Sequence, residues 1–294
     1  MDERRYYSVA DLAFSIAAKA EQLSLLTNYA PFAVSESDVP ERLFDLTLGT
    51  ISDSEELALL FTDTSDDDMP RIEVYHADSD GGWLFRISQL KDSEVCLAIR
   101  TDAAFRKATL QVMDEQYLRF AIDNAAMLLF AFATARLGVL EMHASVTVRN
   151  GKAYLFLGHS GTGKSTHSRL WKEAFPDAWL LNDDNPVLRF LPDGEVRVYG
   201  SPWSGKTPCY KNQSAPVGGI VKLSQAPHNS MRLLRLPEAY AYMLSSCSGL
   251  KIEPEMMDAL YQTIVHVIQS VPVYGLECLP DTDAARLCHD TMTK

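Results

Sequence analysis

A nine-residue segment near the middle of the chain combines glycines, hydroxyl side chains and a lysine at a spacing suited to phosphate. The segment consists of Gly158, His159, Ser160, Gly161, Thr162, Gly163, Lys164, Ser165 and Thr166. It matches the phosphate-binding loop pattern, in which glycines let backbone amides converge on phosphate oxygens and the lysine adds a positive charge. The serine hydroxyl is suited to a magnesium ion, and a helix starting there adds partial positive charge. The segment therefore predicts a site for a magnesium nucleotide.

The same short pattern occurs again from Gly200 to Thr207, so each match must be judged by its surroundings. Four apolar residues lead into Gly158, and the residues after Ser165 place apolar side chains near helical spacing, as in an amphipathic helix. The residues after Thr207 include prolines and lack that period. We therefore expect the first match to bind nucleotide and the second not to.

Two adjacent carboxylates, Asp183 and Asp184, follow the apolar segment 178–181. A carboxylate at the end of a strand after such a loop and its helix commonly holds magnesium. The second carboxylate could accept the proton of an attacking hydroxyl. Alternatively, Asn-Asp-Asp before Pro186 forms a turn or a helix cap. The phosphate-binding pattern favours the catalytic interpretation.

The segment from Gly200 to Lys211 contains glycine, proline, tryptophan, serine and lysine soon after the two carboxylates. A loop of this composition could close over phosphate or substrate, and it could equally be structural. The candidate substrate contacts are Trp203, Ser204, Gly205 and Lys206.

Composition and charge indicate which classes of molecule the protein is not expected to bind. The formal net charge is -12, which disfavours non-specific binding to nucleic acid or anionic lipid. The five cysteines are scattered, which is typical of reduced thiols rather than of a zinc site or a disulfide framework. The N-terminus lacks a secretion signal, and the apolar stretch 125–135 is shorter than the roughly 20 residues of a membrane span. We expect a soluble cytoplasmic protein that binds neither nucleic acid nor membrane; the oligomeric state stays open.

Residues 1–112 predict a β-rich N-terminal part of unknown role. Apolar and polar residues alternate over several short stretches, and Gly81-Gly82 predicts a hairpin turn. The acidic run Asp66-Asp67-Asp68 is better interpreted as a surface loop than as a metal site.

Residues 113–294 predict a second domain that begins with a long apolar helix over about 116–137, ended by Gly138. Asn150-Gly151 predicts a hairpin that leads into the phosphate-binding loop, and the turn 191–194 predicts another. Further strands are expected over 219–223, 231–236 and 273–279, with helices from Pro237, over 254–269 and after Asp281.

Three motifs in this order carry a family resemblance: His143-Ala144-Ser145, the loop 158–166, and Asp183-Asp184. The sequence resembles the HPr kinase/phosphorylase-related proteins of the phosphoenolpyruvate carboxykinase-like P-loop superfamily. The resemblance implies an α/β fold: a carboxykinase-like P-loop core with a mixed sheet, preceded by the β-rich part. It also implies a kinase that uses ATP or GTP with Mg²⁺ and moves the γ-phosphoryl to a hydroxyl, typically of serine, on a peptide, protein or small metabolite. The alternative is a nucleotide-binding regulatory or accessory module without turnover, or a carboxykinase-like ATPase.

Residue by residue, the resemblance assigns the terminal phosphates to Lys164 and the magnesium to Ser165. Asp183 resembles the family's acid/base and Asp184 its metal partner, an order that stays open. His143 resembles a histidine beside the phosphates that orients an aspartate or senses the transferred group; alternatively it is a packed strand residue. Where the bifunctional enzymes carry an arginine- and glycine-rich signature, this chain has the segment 201–206, so neither phosphorylase activity nor HPr as substrate is expected.

Overall fold

A computed structural model describes residues 2–52, 57–63, 70–205 and 207–293. The acidic run Asp66-Asp67-Asp68 and the candidate substrate contact Lys206 lie outside the described residues. The chain divides into two compact units, Met1–Ala133 and Thr134–Lys294. The protein is a mixed α/β structure with a β-rich N-terminal part, as the sequence predicts at this coarse level.

The first unit is built on one nine-stranded sheet in the order β3-β1-β2-β4-β9-β8-β7-β6-β5. Its strands are β1 Asp2–Val9, β2 Leu12–Lys19, β3 Ala33–Val34, β4 Asp45–Leu48, β5 Leu57–Asp63, β6 Arg71–Ala77, β7 Trp83–Ser88, β8 Val95–Thr101 and β9 Lys107–Val112. The sheet is mixed, because β4 runs parallel to both β2 and β9 while the other described pairs are antiparallel. The short helix α1, Ala20–Ser24, follows β2, and the long helix α2 spans Leu118–Thr134.

Aromatic side chains fill the core between the first sheet and α2. Phe14 stacks on Phe44 with ring centroids 4.9 Å apart, and Phe130 of α2 meets Phe14 edge-on at 6.2 Å. All three side chains are buried. Burial of this helix explains why its middle is apolar almost all round.

The helical segment Glu115–Leu137, which includes α2, is the one segment of the described chain long and apolar enough to cross a membrane by length and composition. It is longer than the apolar stretch expected from the sequence, because flanking turns extend it. Most of it is buried, and Asp123 accepts a hydrogen bond from the Asn28 amide at 3.0 Å. Both features are consistent with the core helix of a soluble protein.

The second unit carries a second mixed sheet, in which β10-β14-β15-β16-β12-β11-β13 are consecutive neighbours and β18 joins β16 to β17. Its strands are β10 Val139–Glu141, β11 Ala144–Arg149, β12 Lys152–Leu157, β13 Trp179–Asp184, β14 Val187–Phe190, β15 Val196–Tyr199, β16 Ser214–Gln225, β17 Ser230–Leu233 and β18 Val273–Cys278. Its helices are α3 Lys164–Ala174, α4 Leu236–Ser245, α5 Pro254–Ser270 and α6 Thr282–Met292. Strand β16 runs parallel to β12 and β18, and the other described pairs are antiparallel.

The register of three strands brings the sequence motifs to one edge of this sheet. Ala144, the first residue of β11, pairs with Leu157 of β12 on one side and with Asp184 of β13 on the other. Leu157 immediately precedes the loop, and His143 immediately precedes Ala144. The three motifs therefore converge although they are far apart in sequence.

Most predicted elements of the second half are confirmed, with shifts at their ends. The hairpin β11–β12 turns at Asn150 and Gly151, whose φ angles of 51° and 73° are those of the tight turn that this dipeptide favours. The long helix ends as expected at Gly138, with φ 70°. The boundary between units lies later than the expected one at residue 112, because α2 is grouped almost entirely with the first unit.

We predict that Phe14→Ala lowers the free energy of unfolding of the first unit by about 3–5 kcal/mol, because a buried phenyl ring is replaced by a cavity. Equilibrium urea unfolding followed by circular dichroism measures the effect. Leu25→Ala is the control, because Leu25 lies in the same unit and is 53% exposed. Equal losses from the two substitutions would contradict the assigned core.

Candidate functional site

Residues 158–163 form a tight loop between β12 and α3. Gly161 and Gly163 have φ angles of 77° and 106°, which favour glycine, and α3 begins directly afterwards at Lys164. The Thr162 amide donates to the His159 carbonyl at 3.2 Å, which closes a turn within the loop. From the end of β16, the Gln225 amide donates to the Gly161 carbonyl at 3.2 Å. The loop is thus held both by its own turn and by a neighbouring strand.

Loop residues near the helix start are open to solvent. Exposed are His159, Ser160, Gly161 and Ser165, and partly exposed are Gly158, Thr162, Gly163 and Thr166. The second match to the pattern, 200–207, has no such surroundings, since the described residues that follow it form no helix before β16. The strand–loop–helix order therefore distinguishes the two matches, as the sequence predicts.

Lys164 turns its ammonium group back into the loop. The side chain is buried, and Nζ donates to the Gly158 carbonyl at 2.8 Å, to the His159 carbonyl at 3.3 Å and to Nε2 of His143 at 2.8 Å. These contacts engage all three donors of the ammonium group. Burial lowers the pKa of Lys164, while the charges of Asp184 and Asp183 oppose that shift. The ammonium group is therefore held inside the loop by three hydrogen bonds.

Ser165 and Asp183 meet across the space between the start of α3 and the end of β13. The Ser165 hydroxyl donates to Oδ1 of Asp183 at 3.0 Å, and Asp183 is only 5% exposed while Ser165 is open. A buried carboxylate therefore contacts an exposed hydroxyl group at this point of the sheet edge.

His143 joins the lysine to the second carboxylate. Its Nδ1 lies 3.0 Å from Oδ1 of Asp184. Because the ammonium of Lys164 can only donate, Nε2 of His143 accepts that hydrogen bond, and Nδ1 is the ring nitrogen that lies within ion-pair distance of Asp184. Lys164, His143 and Asp184 form one continuous chain of polar contacts, a hydrogen bond between the first two and an ion-pair contact between the last two. His143 is thus a member of the cluster and not only a packed strand residue.

The segment 201–205 lies against the carboxylates. The Gly205 amide donates to the Asp183 carbonyl at 2.8 Å, and the Ser204 hydroxyl donates to the same oxygen at 3.0 Å. A Cβ on Gly205 would lie 3.0 Å from Oδ2 of Asp184, so only glycine fits there without displacement. This close approach fixes the backbone that follows β13.

Trp203 and Lys211 have structural contacts that the sequence did not indicate. Trp203 is 3% exposed, so its ring is buried and not presented to a substrate, and its carbonyl lies 3.3 Å from the Asn182 amide nitrogen. Nζ of Lys211 donates to the Leu180 carbonyl at 2.6 Å and lies 4.7 Å from the ring centre of Trp179. Lys211 thereby secures the segment to the edge of β13 instead of facing the loop.

Sequence reasoning missed Glu141, the last residue of β10. Its side chain is buried, and no described group makes a hydrogen bond of good geometry to either carboxylate oxygen. Burial raises the pKa of its carboxyl to about 8, the charge of Asp184 adds to the rise, and the neighbouring Ser248 opposes it. Glu141 stands two residues before His143, but a single glutamate in an apolar strand gives no signal until the strand is placed.

We predict that Glu141→Gln stabilises the protein increasingly as the pH rises from about 4.5 to about 8. The folded state keeps the proton on Glu141 over this range while the unfolded chain releases it, so the wild type loses stability with rising pH. Glutamine removes that titration, and the gain at pH 8 should be on the order of a few kcal/mol. Thermal melts across the pH range measure the difference.

The control for this prediction is Glu255→Gln at the exposed start of α5. Its difference from wild type should stay small at every pH, because an exposed ion pair contributes little. A difference at Glu141 that does not change with pH would contradict the prediction.

Among the described residues, no group of three or more histidine, cysteine, aspartate or glutamate side chains is arranged for a metal ion. Comparison with models of known protein families and with curated protein sequences finds no match for this chain. The resemblance to HPr kinase-related proteins therefore stays a prediction from the three motifs, and the chemistry must be inferred from the residues of this chain.

Proposed function

We propose that this protein is an ATP- and Mg²⁺-dependent phosphotransferase that moves the γ-phosphoryl of a nucleotide to a hydroxyl group of an acceptor. The observation that carries the proposal is the meeting of Ser165 with Asp183 at 3.0 Å beside the chain Lys164–His143–Asp184. Phosphoryl transfer needs a phosphate cradle, a metal position and a proton acceptor within one small volume. These residues supply groups suited to each.

The residues at the loop fit a magnesium ion. Magnesium binds oxygen ligands at about 2.0–2.1 Å in an octahedron, which puts adjacent ligands about 3.0 Å apart. The Ser165 hydroxyl and Oδ1 of Asp183 are separated by this distance. Magnesium usually keeps waters and phosphate oxygens as its other ligands, so it does not need three acidic or histidine side chains. When bound, the ion would neutralise charge on the transferring phosphoryl group.

The contacts favour a division of labour between the two aspartates that reverses the order implied by the family resemblance. Asp183 contacts the hydroxyl proposed for magnesium, so we assign it to the metal. Asp184 lies 3.0 Å from Nδ1 of His143 and is more exposed, with 34% of its side chain open, so we assign it to the acceptor hydroxyl. As the new oxygen–phosphorus bond forms and the bond to the departing ADP breaks, the hydroxyl proton passes to the Asp184 carboxylate.

Lys164 and the loop amides then supply the remaining stabilisation. The ammonium group would exchange its bonds to the loop carbonyls for phosphate oxygens, and the start of α3 adds its partial positive charge. We include the phosphoenolpyruvate carboxykinase-like fold in this proposal, because the hairpin entry into the loop accords with the expected mixed sheet.

We predict that Lys164→Ala lowers ATP-dependent phosphorylation of an acceptor at least about 100-fold, because it removes the fixed cation of the phosphate cradle. Transfer of labelled γ-phosphate to synthetic serine peptides and to serine-bearing metabolites measures this loss. Lys172→Ala is the control, since Lys172 lies on the exposed side of the same helix. Undiminished γ-phosphate transfer by the Lys164→Ala variant would contradict the proposal. Magnesium nucleotide that raises the melting temperature without any transfer would favour the accessory-module alternative.

We predict different magnesium responses from the two aspartates. Asp183→Asn should raise the magnesium concentration needed for half-maximal transfer about tenfold or more, because it weakens a metal ligand. Asp184→Asn should lower kcat by roughly 100-fold or more with that concentration little changed, because it removes the proton acceptor. Magnesium titrations of initial rates at saturating ATP separate the two effects. The opposite pattern would instead support Asp183 as the acid/base and Asp184 as the metal ligand, as the family resemblance implies.

A further inference from the structure

The two aspartates at the end of β13 face opposite sides of the second sheet. Asp183 pairs with Ser145, whose hydroxyl contacts that of Ser168 in α3, so Asp183 lies on the side of α3. Its contact with Ser165 of the same helix agrees with this placement. Asp184 is the next residue and faces the other side, because successive side chains of a strand point to opposite faces. The proposed metal position therefore belongs to one side of the sheet and the proposed proton acceptor to the other.

Strand register places Lys222 of β16 on the same side as Asp184. Ala144 pairs with both Asp184 and Leu157, and Leu157 pairs in turn with Lys222. Side chains of residues paired across neighbouring strands lie on one face, so these four residues form a single row. Nζ of Lys222 lies 5.0 Å from the ring centre of Tyr242, which identifies this face as the side of α4. The two middle residues of the row are buried, and Asp184 and Lys222 stand at its ends.

The ammonium group of Lys222 is not neutralised by any carboxylate of the described residues. Its contacts within that part of the chain are the Ser224 hydroxyl and the Tyr242 ring. Arg232, which continues the row on the far side of β18, instead donates two hydrogen bonds to Glu238, at 3.1 and 2.7 Å. Lys222 is only partly exposed, although the whole chain carries a net charge of -12. A partly buried cation without a counter-ion is suited to an anionic group of a ligand.

We propose that Lys222 binds a carboxylate of the acceptor and thereby selects a peptide serine that has an aspartate or glutamate close to it in sequence. The inference rests on the proposed function, because Asp184 is taken to receive the proton of the serine hydroxyl. The sides of the sheet assign Lys222 to the acceptor rather than to the nucleotide. Ser165 and Asp183, which we assign to the metal, lie on the side of α3, whereas Lys222 lies with Asp184 on the side of α4.

The spacing of the strands favours a peptide over a free hydroxy-amino acid. Asp184 and Lys222 are three strands apart, which corresponds to about 14 Å between their backbones at about 4.8 Å per strand. An extended peptide advances about 3.3 Å per residue, so an acid about three residues from the serine spans roughly 10 Å, and the long lysine side chain covers the remainder. In free serine the hydroxyl and the carboxylate are only a few bonds apart and could not reach both groups.

Two matched peptides test this selection with the unaltered full chain. The first has a serine with an aspartate about three residues before it and another about three residues after it, and the second has asparagine at both positions. The aspartate peptide should be phosphorylated with a kcat/KM about tenfold or more above that of the asparagine peptide, because only a carboxylate pairs with the ammonium group. This comparison does not depend on the folding of any variant. Equal kcat/KM values for the two peptides would overturn the proposal.

Substitutions of Lys222 assign the preference to this residue. Lys222→Gln should lower kcat/KM for the aspartate peptide about tenfold or more, to the value for the asparagine peptide, while the KM for ATP stays within about twofold. Lys222→Arg keeps the charge and should keep the preference. Lys222→Glu should reverse it, in favour of a peptide with lysine at the two positions.

Lys152→Gln is the matched control, because Lys152 is an exposed lysine at the far end of the neighbouring strand β12. Its kcat/KM for both peptides should stay within about twofold of wild type. A Lys222→Gln variant that keeps the preference for aspartate but has a raised KM for ATP would assign Lys222 to the nucleotide and overturn the proposal.

Binding measured without turnover separates this inference from the function on which it rests. Fluorescence anisotropy of the fluorescein-labelled aspartate peptide, with Mg²⁺ and a non-hydrolysable ATP analogue, gives its affinity for the full chain. Binding that Lys222→Gln weakens about tenfold or more, without transfer to any serine peptide, would support the anion site and contradict the phosphotransferase. Transfer to both peptides alike, unchanged in Lys222→Gln, would support the phosphotransferase and contradict selection by Lys222. Neither binding nor transfer at millimolar peptide would overturn the inference, and transfer to serine-bearing metabolites would then test the phosphotransferase alone.

Discussion

The double pairing of Ala144 is the constraint on which the candidate site depends. One residue of β11 is bonded in register both to the strand that enters the glycine-rich loop and to the strand that carries the two aspartates. A slip of one residue on either side would turn the following side chains to the opposite face of the sheet. Burial protects this register, because Ala144, Leu157 and their neighbours lie in the apolar interior of the second unit.

The polar groups at this edge are positioned by one another as much as by the backbone. Lys164 donates a hydrogen bond to His143, His143 lies at ion-pair distance from Asp184, and Ser165 donates a hydrogen bond to Asp183. In such a chain each side chain limits the rotamers of the next, so the groups are arranged before any ligand arrives. The buried Glu141 adds a neutral acid beneath this charged cluster, which limits the negative charge in a poorly solvated region.

Short sequence motifs were enough to predict tight turns, helix ends and the strand–loop–helix segment. Asn150-Gly151 specifies its tight turn, Gly138 specifies the helix end, and the strand–loop–helix order around Gly158 follows from apolar runs and glycines. The hairpin β1–β2 was not predicted, because its turn uses Ala10 and Asp11 at φ angles of 51° and 61°, which are unusual for these residues. Glu141 was missed, and Trp203 was placed among the substrate contacts although it is buried, because the burial of both depends on the long-range order of the strands. The distance between Ser165 and Asp183 could not be predicted either, because it also depends on strand order.

The inward-turned ammonium of Lys164 has a consequence for how tightly any polyphosphate could be held. Since its three hydrogen-bond donors already have acceptors, an arriving anion must displace two carbonyls and an imidazole, and the net gain is only the difference between two sets of bonds. That exchange would moderate the affinity for a polyphosphate and would let it leave, because the loop carbonyls and His143 can accept the lysine hydrogen bonds again. A loop whose lysine made no such hydrogen bonds would bind a polyphosphate more tightly and release it more slowly.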